Sequence, residues 1–536
     1  MCAIILSRMG KIARYLNELI VGNVFDSSDV LEDYATDRSI LKIKPKAVAL
    51  PESTDDVSRL MRFCNQLAMK DIKTPVVVRG AGLDEMGADL SEGIVISTEK
   101  LDHLLEADRR ERLVRVQAGI TLKELNTALS MHGLTIPIHG HESDTIGGLI
   151  SNCPADAYAG KYGGIMKYVE RIEVVLANGD VLQTNRMSEN TIAKIAQSKN
   201  TEGKIYRKVS DLIKSNDELI QKIAKDSHGL AGYFMVTKAE QKGSLDLMPL
   251  FFGAQGTLGI VTEAILKAVP IRNKIARVMA TFRDFNAAQN FLDFAITLNP
   301  KQLDFYDMSV IKAAKNTGKK ISIVTDRSEK GFVVFAKFDR RVNANLRKVN
   351  NFKHEMLRTA QLTVESVDNK VQFDELENSL ISFLNQVRSG ERVPLVVDFY
   401  LPSENIVRFL DDLSVVEKSL KMDLELFGSY AASNYSLRPK FNPEDEDFAK
   451  KVLAFLRASA FVIKRQNGSI TGGAPEGRVK AIVTNNELSE EEKNLYLEIK
   501  KIFDPREILG SEIKLGADAK FTVNHFRTTD PAKTVL

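Results

Sequence analysis

The stretch PIHGHESDTIGGLISNCPADAYAGKYGG, residues 137–164, decides how this chain of 536 residues is organised. It holds six glycines, two histidines and one of three cysteines, and few of its side chains are apolar. That composition excludes a core strand or an amphipathic helix over most of its length. Glycine at this density lets the backbone turn tightly and lets a ligand approach main-chain N–H groups. Since strand-like runs flank it on both sides, we expect it to form one wall of a ligand site.

Two other glycine-rich loops are candidates for the remaining walls. The buried strand predicted at Pro75–Val78 runs directly into the turn Arg79–Gly82, and the run LFFGAQGTLG, residues 250–259, leads into an apolar strand that ends before Pro270. A glycine turn after a strand is a frequent phosphate-binding element. Each loop alone is weak support for a ligand site, because tight turns also require glycine.

The composition is typical of an ordinary globular protein with more than one domain. A chain of 536 residues with 44% hydrophobic and 27% charged residues predicts two or three lobes. The net charge of +3 gives no support to a nucleic-acid partner. Cys2, Cys64 and Cys153 are odd in number and far apart, so they do not form a disulfide framework. A reducing compartment, the cytoplasm, fits this pattern best.

The N-terminus reads MCAIILSRMGKIARYLNEL, and its apolar run is interrupted by Ser7 and Arg8. That run is too short for a signal peptide or a membrane span. We therefore expect no transmembrane segment and a short amphipathic helix, which leaves peripheral contact with a membrane surface open.

Local patterns predict the elements around the glycine loops. Thr121 and Glu124 form a capping box at the start of a helix, and Asn178-Gly179 between two apolar runs predicts a hairpin. Residues 187–245 are predicted to be helical, without a definite place in the fold. From about residue 273, strand-like runs alternate with helices, which predicts an antiparallel α+β sheet of the split βαβ, ferredoxin-like kind.

Short motifs recur along nearly the whole chain: Pro45-x-x-Val48, Arg79-Gly80-Ala81-Gly82, Gln117-Ala118-Gly119, Thr145-Ile146-Gly147-Gly148, Tyr162-Gly163, the run from Gly256 to Thr262, Phe503-Asp504-Pro505 and Ile508-Leu509. In this order and spacing they resemble the flavoproteins of the vanillyl-alcohol oxidase / p-cresol methylhydroxylase (PCMH) family. Within that family the similarity is greatest to the D-lactate dehydrogenase and glycolate oxidase branch. Each motif alone is weak, but turn glycines have no reason to match all of them at once.

The resemblance implies an α+β fold with a two-subdomain PCMH-type FAD-binding lobe and a ferredoxin-like α+β substrate, or cap, lobe. It divides the chain into an N-terminal helical segment (1–40), the FAD-binding domain (41–272), the cap domain (273–455) and a C-terminal helical segment that returns to the FAD lobe (456–536). Helices predicted from 444 to about 460 and from 489 to about 502 close the chain.

FAD is the cofactor that the resemblance implies. Its pyrophosphate is a dianion that needs clustered N–H donors without side-chain bulk, and the glycine loops supply them. The predicted cofactor-binding residues are Arg79, Gly80, Ala81, Gly82, Leu83, Asp84, Thr145, Gly147, Gly148, Ser151, Gly163, Val174, Gly259 and Ile260.

The first of these loops departs from the family pattern. Relatives carry Thr-Ser after its last glycine, where the hydroxyl groups add donors to the phosphates, whereas this chain has Leu83 and Asp84, followed by Glu85. A carboxylate beside a pyrophosphate is repulsive unless it points outward or meets a cation. We therefore expect binding through the loop backbone with Asp84 turned away, or a weakened affinity for FAD.

The metal-binding segments depart as well. The hydroxy-acid branch has a GHxGDGNxH segment and a later GEHGxG segment, whose histidines and glutamate hold a divalent metal beside the substrate. Here Ser429 and Ser436 replace the two ligand histidines, and Gly473 and Ala474 replace Glu-His. Serine, glycine and alanine do not build such a site. We predict no catalytic metal.

The resemblance also points to a substrate site. Arg388 is the counterpart of a family arginine that grips the substrate carboxylate, and a solvated arginine at a helix end is an equally good interpretation. A family lysine maps to Val396, while Asp398 and Pro402 are kept. The predicted catalytic residues are Arg388, Tyr430, Asn434, Tyr435 and Arg438. This set suits a phenol, a sugar or an acid with a tyrosine as general base, or the tyrosines pack under the flavin ring.

Two other reactive groups lie in the glycine stretch. His139 and His141 have i,i+2 spacing, which is weak support for a metal site without a third ligand. Cys153 is expected to be a buried, inert thiol. Because the first loop has no histidine for a covalent link, we predict non-covalent FAD.

The resulting hypothesis is an FAD-dependent oxidoreductase, an oxidase or dehydrogenase, that removes a hydride from an alcohol or 2-hydroxy acid such as lactate or glycolate. Two alternatives stay open: a flavoprotein acting on a sugar, polyol or aryl alcohol, and a degenerate flavin-binding protein without catalysis. The electron acceptor (oxygen, a quinone or a carrier protein) and the oligomeric state are not determined by the sequence.

Overall fold

The computed structural model describes residues 10–226, 229–241, 243–315, 331–356, 360–364, 370–384, 393–442 and 445–527. The strands are β1 (Asn23–Phe25), β2 (Ala47–Leu50), β3 (Val76–Arg79), β4 (Ile94–Ser97), β5 (Leu104–Asp108), β6 (Leu113–Gln117), β7 (Leu134–Thr135), β8 (Val169–Val175), β9 (Val181–Gln183), β10 (Met187–Ser188), β11 (Glu240–Gln241), β12 (Ser244–Leu245), β13 (Ile260–Lys267), β14 (Val269–Pro270), β15 (Ala276–Phe282), β16 (Gln302–Asp307), β17 (Phe332–Phe338), β18 (Ala360–Val364), β19 (Val396–Tyr400), β20 (Leu424–Ser429) and β21 (Asn434–Pro439).

The helices are α1 (Lys11–Leu19), α2 (Ser28–Asp33), α3 (Thr54–Ala68), α4 (Leu122–Ser130), α5 (Ile146–Asn152), α6 (Ala159–Tyr162), α7 (Glu189–Ala196), α8 (Thr201–Ser215), α9 (Asp217–Asp226), α10 (Phe285–Ile296), α11 (Met308–Lys315), α12 (Val342–Met356), α13 (Lys370–Leu384), α14 (Ile406–Leu420), α15 (Phe448–Arg465), α16 (Ala481–Thr484), α17 (Glu490–Phe503) and α18 (Ala519–Asn524).

A four-stranded sheet with order β1-β2-β4-β3 carries the first glycine loop. Strands β2, β4 and β3 are parallel, and β2 and β4 are buried along their whole length, so their sequences, AVAL and IVIS, are apolar except for Ser97. Helix α3 packs its apolar side against this sheet. The chain returns here near its C-terminus, since the Val76 N–H donates to Ile508 O and the Gly510 N–H donates to Val76 O, both at 2.8 Å.

A five-stranded antiparallel sheet with order β5-β6-β13-β8-β9 holds the other two glycine loops. The predicted hairpin is confirmed, because β8 and β9 pair around Asn178-Gly179 and Gly179 has φ 82°. Both hydrogen bonds of the Thr121/Glu124 capping box are present. The charged region 187–245 forms α7, α8, α9 and a small sheet of β10, β12 and β11, and these helices pack on the same core as the five-stranded sheet.

The cap is a seven-stranded antiparallel sheet with order β18-β15-β17-β16-β20-β21-β19. Side chains alternate between its two faces. One face, which includes Leu303 and Phe305, packs with α10, α14 and α15 into the largest core cluster. The opposite face, which includes Asp304 and Tyr306, is polar in part and is covered by α11 and α13.

The helix predicted to end near residue 460 continues to Arg465, because Val462 and Ile463 are still buried against the cap. Among the described residues, no helix is long and apolar enough to cross a membrane.

Candidate functional site

One cavity lies where the two smaller sheets meet the cap. Its walls come from the loop after β3, from the glycine stretch, from the loop before β13, and from two cap-side segments at 397–398 and 474–475. Eleven predicted cofactor-binding residues line it: Gly80, Ala81, Gly82, Leu83, Asp84, Thr145, Gly147, Gly148, Ser151, Gly259 and Ile260. The structure therefore brings the three loops together around one space.

Three of the predicted residues do not line this cavity. The Arg79 side chain turns the other way, donating from Nη2 to Thr36 O at 2.9 Å. Gly163 ends helix α6 with φ 76°, and Val174 is fully buried in β8. Their cofactor-binding role stays a prediction; a motif gives the order of residues but not the direction of each side chain.

The first loop offers unused backbone donors. Within the described residues, the N–H groups of Gly80, Ala81, Gly82 and Leu83 donate no hydrogen bond. Side-chain bulk is excluded at the start of this loop, since a Cβ on Gly80 would lie 2.4 Å from Thr145 Oγ1. Thr145 in turn caps α5 by accepting from the Gly148 N–H at 3.2 Å. Free, clustered N–H groups without side chains fit the pyrophosphate of a dinucleotide.

Asp84, the departure in this loop, folds back onto its own backbone. Its Oδ2 accepts from the N–H groups of Met86 (3.0 Å) and Ala88 (2.7 Å), and its Oδ1 lies 3.3 Å from Asn152 Nδ2. Burial and the charge of Asp89 raise the pKa of Asp84 to about 6. The side chain of Asp84 thus stabilises the loop, and the residue also lines the cavity.

Asp84 belongs to a group of three aspartates with Asp37 and Asp89, the one set of His, Cys, Asp or Glu side chains with metal-ligand spacing in the described part of the chain. Arginines balance this group: Arg79 lies 3.8 Å from Asp89, and Arg527 lies 3.8 Å from Asp37. Burial and the two neighbouring aspartates raise the pKa of Asp37 well above its ordinary value.

Arg38 lines the same cavity, and sequence reasoning did not single it out. Its N–H donates to Asp84 O at 2.9 Å, which ties the N-terminal segment to the first loop. Burial lowers the pKa of Arg38, and the carboxylates of Glu85 and Asp144 oppose that shift. No local motif marks this residue, because the fold alone brings it to the loop.

The tyrosines predicted to be catalytic lie in the core of the cap and do not line the cavity. Tyr430 donates its hydroxyl to Asp293, and Tyr435 shares a hydrogen bond of 3.1 Å with Ser403. Burial raises the pKa of both tyrosines. Both hydroxyls are engaged inside the cap, and the general-base role of a tyrosine stays a prediction.

The other predicted catalytic residues are near the cavity but behind its wall. Asn434 is 5% exposed and donates from Nδ2 to Ala155 O at 2.8 Å, joining the cap to the glycine stretch. Arg438 is also buried and lies 3.3 Å from Glu85 Oε1. Arg388 lies outside the described residues.

The cap-side end of the cavity is formed by Val397, Asp398, Ala474 and Pro475. Asp398 was noted in the sequence as a kept family residue, without a role. Burial raises its pKa to about 6, and the charge of Lys480 opposes this. Lys480, which sequence reasoning missed, is fully buried behind this wall.

The two histidines of the glycine stretch face different surroundings. His139 Nε2 lies 3.6 Å from Glu377 Oε1 in the cap, and its ring contacts Tyr158. His141 lines the cavity, where burial and the charge of Arg38 lower its pKa. The structure does not pair them as metal ligands. Cys153 does not line the cavity, and burial raises its pKa to about 12.

Two family models match this chain. The model described as "FAD binding domain" matches residues 45–185, and the model described as "FAD linked oxidases, C-terminal domain" matches residues 271–512. FAD is therefore the cofactor of this chain.

Several curated proteins are similar over most of the chain. A D-2-hydroxyglutarate dehydrogenase of Pseudomonas putida is 25% identical over 83% of this chain, although this chain spans only 46% of that protein. Glycolate oxidase subunit GlcD of Bacillus subtilis is 25% identical, with 89% of this chain and 90% of the relative covered. D-lactate dehydrogenase of Archaeoglobus fulgidus is 26% identical, with 91% and 95% covered.

Solved structures share the fold at low identity. A p-cresol methylhydroxylase with substrate bound superposes with a TM-score of 0.67 at 14% identity, covering 96% of this chain and 97% of its own. A 4-ethylphenol oxidase of Gulosibacter chungangensis has a TM-score of 0.65 at 14% identity, with the same coverage. The PCMH-type α+β fold predicted from the sequence is confirmed.

Proposed function

This chain belongs to the FAD-linked oxidases, and on that premise we propose that it oxidises a 2-hydroxy acid by hydride transfer to non-covalently bound FAD, without a catalytic metal. The observation that carries the proposal is a cavity lined by three glycine loops, of which the first, Gly80–Leu83, has backbone N–H groups that donate no hydrogen bond in the described residues, and whose far end is closed by Asp398 of the cap.

FAD supplies an acceptor for the hydride. The N–H groups of Gly80–Leu83 would hold its pyrophosphate, with the turn at Thr145–Gly148 forming the wall beside them and Arg38 as a nearby positive charge. Asn152 and Gln255 line the cavity and are joined by a hydrogen bond of 3.2 Å, so their amides are fixed. The cap covers the far end of the cavity through Val397 and Asp398.

The substrate class follows from the relatives' names. Three of the relatives are named D-2-hydroxyglutarate dehydrogenase, glycolate oxidase subunit and D-lactate dehydrogenase, and the substrates in these names are all 2-hydroxy acids. The chain spans less than half the length of the first of these relatives, so its activity is proposed on the shared part alone. We expect the D enantiomer to be the substrate where the acid is chiral.

Anaerobic reduction of the bound flavin tests this function. Purified, yellow holoprotein is mixed with D- and L-lactate, D- and L-2-hydroxyglutarate, glycolate, sugars and aryl alcohols, and the flavin absorbance is followed. Bleaching by a D-2-hydroxy acid, unchanged after dialysis against EDTA, is the expected result. Loss of that bleaching with EDTA would contradict the metal-free proposal. Protein that is colourless and takes up no added FAD would refute the flavin site itself.

The lost metal ligands favour a second candidate, a flavoprotein acting on a sugar, polyol or aryl alcohol. Ser429 and Ser436 leave the cap without the histidines that hold a metal beside a hydroxy acid. Bleaching by an aryl alcohol or a sugar, and by none of the acids, identifies this candidate. A degenerate flavin protein would be reduced by light and by none of the compounds tested.

The same preparation identifies the electron acceptor. After anaerobic reduction, oxygen, a soluble quinone and a one-electron carrier are added separately, and the one that restores the yellow colour fastest is the acceptor. We place the protein in the cytoplasm, a proposal supported by the free thiols of Cys64 and Cys153.

A further inference from the structure

The backbone of Asp398 is held in an unusual conformation at the cavity wall. Its φ is 54°, in the left-handed region that few non-glycine residues adopt. The pairing of β19 with β21 shifts register between Val396 and Phe399, so Asp398 lies in a bulge of the strand. Strained residues of this kind persist where the surroundings over-determine them, and they cluster at functional sites.

The surroundings do fix this residue. The Asp398 carbonyl accepts from the Gly473 N–H at 2.7 Å, and the Asp398 N–H donates to Ser436 Oγ at 3.0 Å. Ser436 Oγ also lies 3.4 Å from Asp398 Oδ1. Both neighbours stand at positions where the family pattern has metal ligands. Ser436 and Gly473, which stand in place of those ligands, therefore hold Asp398 at the same end of the cavity.

A buried lysine holds the two segments that form this end. Lys480 Nζ donates to Val397 O and, at 3.2 Å, to Ala474 O. Burial lowers the pKa of Lys480 to about 8, and the charges of Asp398 and Glu476 oppose the shift. The other charged groups that act on Asp398 are Glu85, from the loop after β3, and Arg438, from β21. Lys480 thus joins the carbonyl of Val397, the residue before Asp398, to that of Ala474 on the other segment, and its positive charge acts on Asp398.

We propose that Asp398 is the catalytic base of this chain and that Lys480 is its positioning residue, an inference that rests on the proposed oxidation of a hydroxyl-bearing carbon. The O–H bond of the substrate hydroxyl breaks and its proton passes to the Asp398 carboxylate. The C–H bond breaks, and its hydrogen leaves with the electron pair to FAD, the oxidant. The oxygen lone pair left by the proton forms the carbonyl of the product. A carboxyl group performs this step in place of a metal-assisted one.

The variant Asp398→Asn tests the base with the backbone preserved, because asparagine tolerates the left-handed conformation. We expect FAD content and the affinity for the 2-oxo acid product to be unchanged, and anaerobic flavin reduction to slow at least ~100-fold. Asp398→Gly distinguishes the loss of the base from a change in the backbone. It is expected to relieve the backbone strain and raise the melting temperature, while flavin reduction stays as slow as in Asp398→Asn.

A measurement without turnover supports the assignment independently. Ionisation of a carboxyl beside the bound flavin perturbs the flavin spectrum, so a pH titration of the wild-type holoprotein without substrate is expected to show a change near pH 6. Asp398→Asn removes that change. Lys480→Met is expected to move its midpoint upward, since a positive charge behind the carboxylate is lost.

The outcomes separate the two proposals. Wild-type reduction by a 2-hydroxy acid together with equally fast reduction of Asp398→Asn overturns the base and leaves the proposed function intact. A wild-type flavin that no hydroxy acid, sugar or alcohol bleaches overturns both. A slow Asp398→Asn variant whose substrate-free spectral change persists also overturns the base, because the titrating group would then lie elsewhere.

Discussion

The carboxamide of Asn434 occupies the space that any side chain at position 473 would need. A Cβ built on Gly473 would lie 2.3 Å from Asn434 Oδ1 and 2.6 Å from Asn434 Nδ2. The carboxamide cannot simply turn aside, because its Nδ2 donates to Ala155 O, and the Ala155 N–H donates to Gly473 O at 2.9 Å. Position 473, where the family pattern has a glutamate ligand, is therefore a glycine in sequence and has no room for a side chain in the structure.

Gly473→Ala is expected to lower the free energy of unfolding by about 1–3 kcal/mol, the usual cost of overpacking a closed site. Its added methyl group has to displace Asn434 and break the bond to Ala155. Chemical denaturation of the holoprotein measures the loss. Gly164→Ala is the matched control from the glycine stretch, since φ there is −77° and the nearest atom would lie 3.6 Å away. Equal stability of the two variants would contradict the packing.

The buried ion pair between Lys514 and Glu476 joins the C-terminal segment to the cap-side loop. The two groups are 2.9 Å apart, with side chains 1% and 0% exposed. Lys514→Met leaves Glu476 charged and buried, so we expect a loss of about 3–5 kcal/mol in the free energy of unfolding. Thermal and chemical denaturation of the purified protein measure it.

The control for this pair is Lys501→Met, which breaks an exposed ion pair with Glu498 at 3.0 Å and is expected to cost less than about 1 kcal/mol. The double variant Lys514→Met/Glu476→Gln is expected to recover part of the loss, because the amide keeps the hydrogen bond from the Gly232 N–H without a buried charge. A double variant less stable than Lys514→Met would contradict the electrostatic explanation.

The cofactor loops were predictable because their chemistry lies in the backbone. Glycine at position 80 and the Thr145–Gly148 turn are local features whose meaning does not depend on distant residues. Arg38, which lines the cavity, and Lys480, which lies behind its wall, were not predictable, since each is placed there only through contacts with segments far away in the chain.

The position of the tyrosines relative to the cavity was not predictable, for a different reason. In β21, successive residues alternate between the two faces of the cap sheet, so Tyr435 packs in the core while Asn434 and Ser436 face the cavity side. The matching motif gave the order of these residues but not their register, and register decides which face each side chain occupies.

Asp304 is a buried carboxyl, 3% exposed, on the polar face of the cap sheet, and burial raises its pKa to about 6. The folded state therefore holds this proton more tightly than the unfolded state, whose carboxyl has the ordinary value of 3.8. The protonated carboxyl contributes to the free energy of unfolding below pH ~4. This contribution, at most about 3 kcal/mol, is lost as the pH rises through ~6. We expect Asp304→Asn to be more stable than the wild type at pH 8 and similar to it at pH 4.

Denaturation curves at the two pH values measure this difference. Asp411→Asn, at an exposed site on helix α14, is the control and is expected to behave as the wild type at both. A gain for Asp304→Asn of the same size at pH 4 and pH 8 would show that packing, and not ionisation, sets the difference.

Asp84 is expected to make FAD binding depend on pH. Its pKa is raised to about 6, so the carboxyl is largely neutral at pH 5 and charged at pH 8, where it repels the pyrophosphate. FAD therefore binds the wild type more weakly at pH 8, and Asp84→Asn reduces the pH dependence by tightening binding at pH 8 alone, by about 3–10-fold. Asparagine keeps an oxygen for the N–H of Ala88.

Fluorescence titration of the apoprotein with FAD measures both affinities, and Asp411→Asn is the control. Tighter binding by Asp84→Asn at pH 5 as well as pH 8 would contradict the ionisation argument.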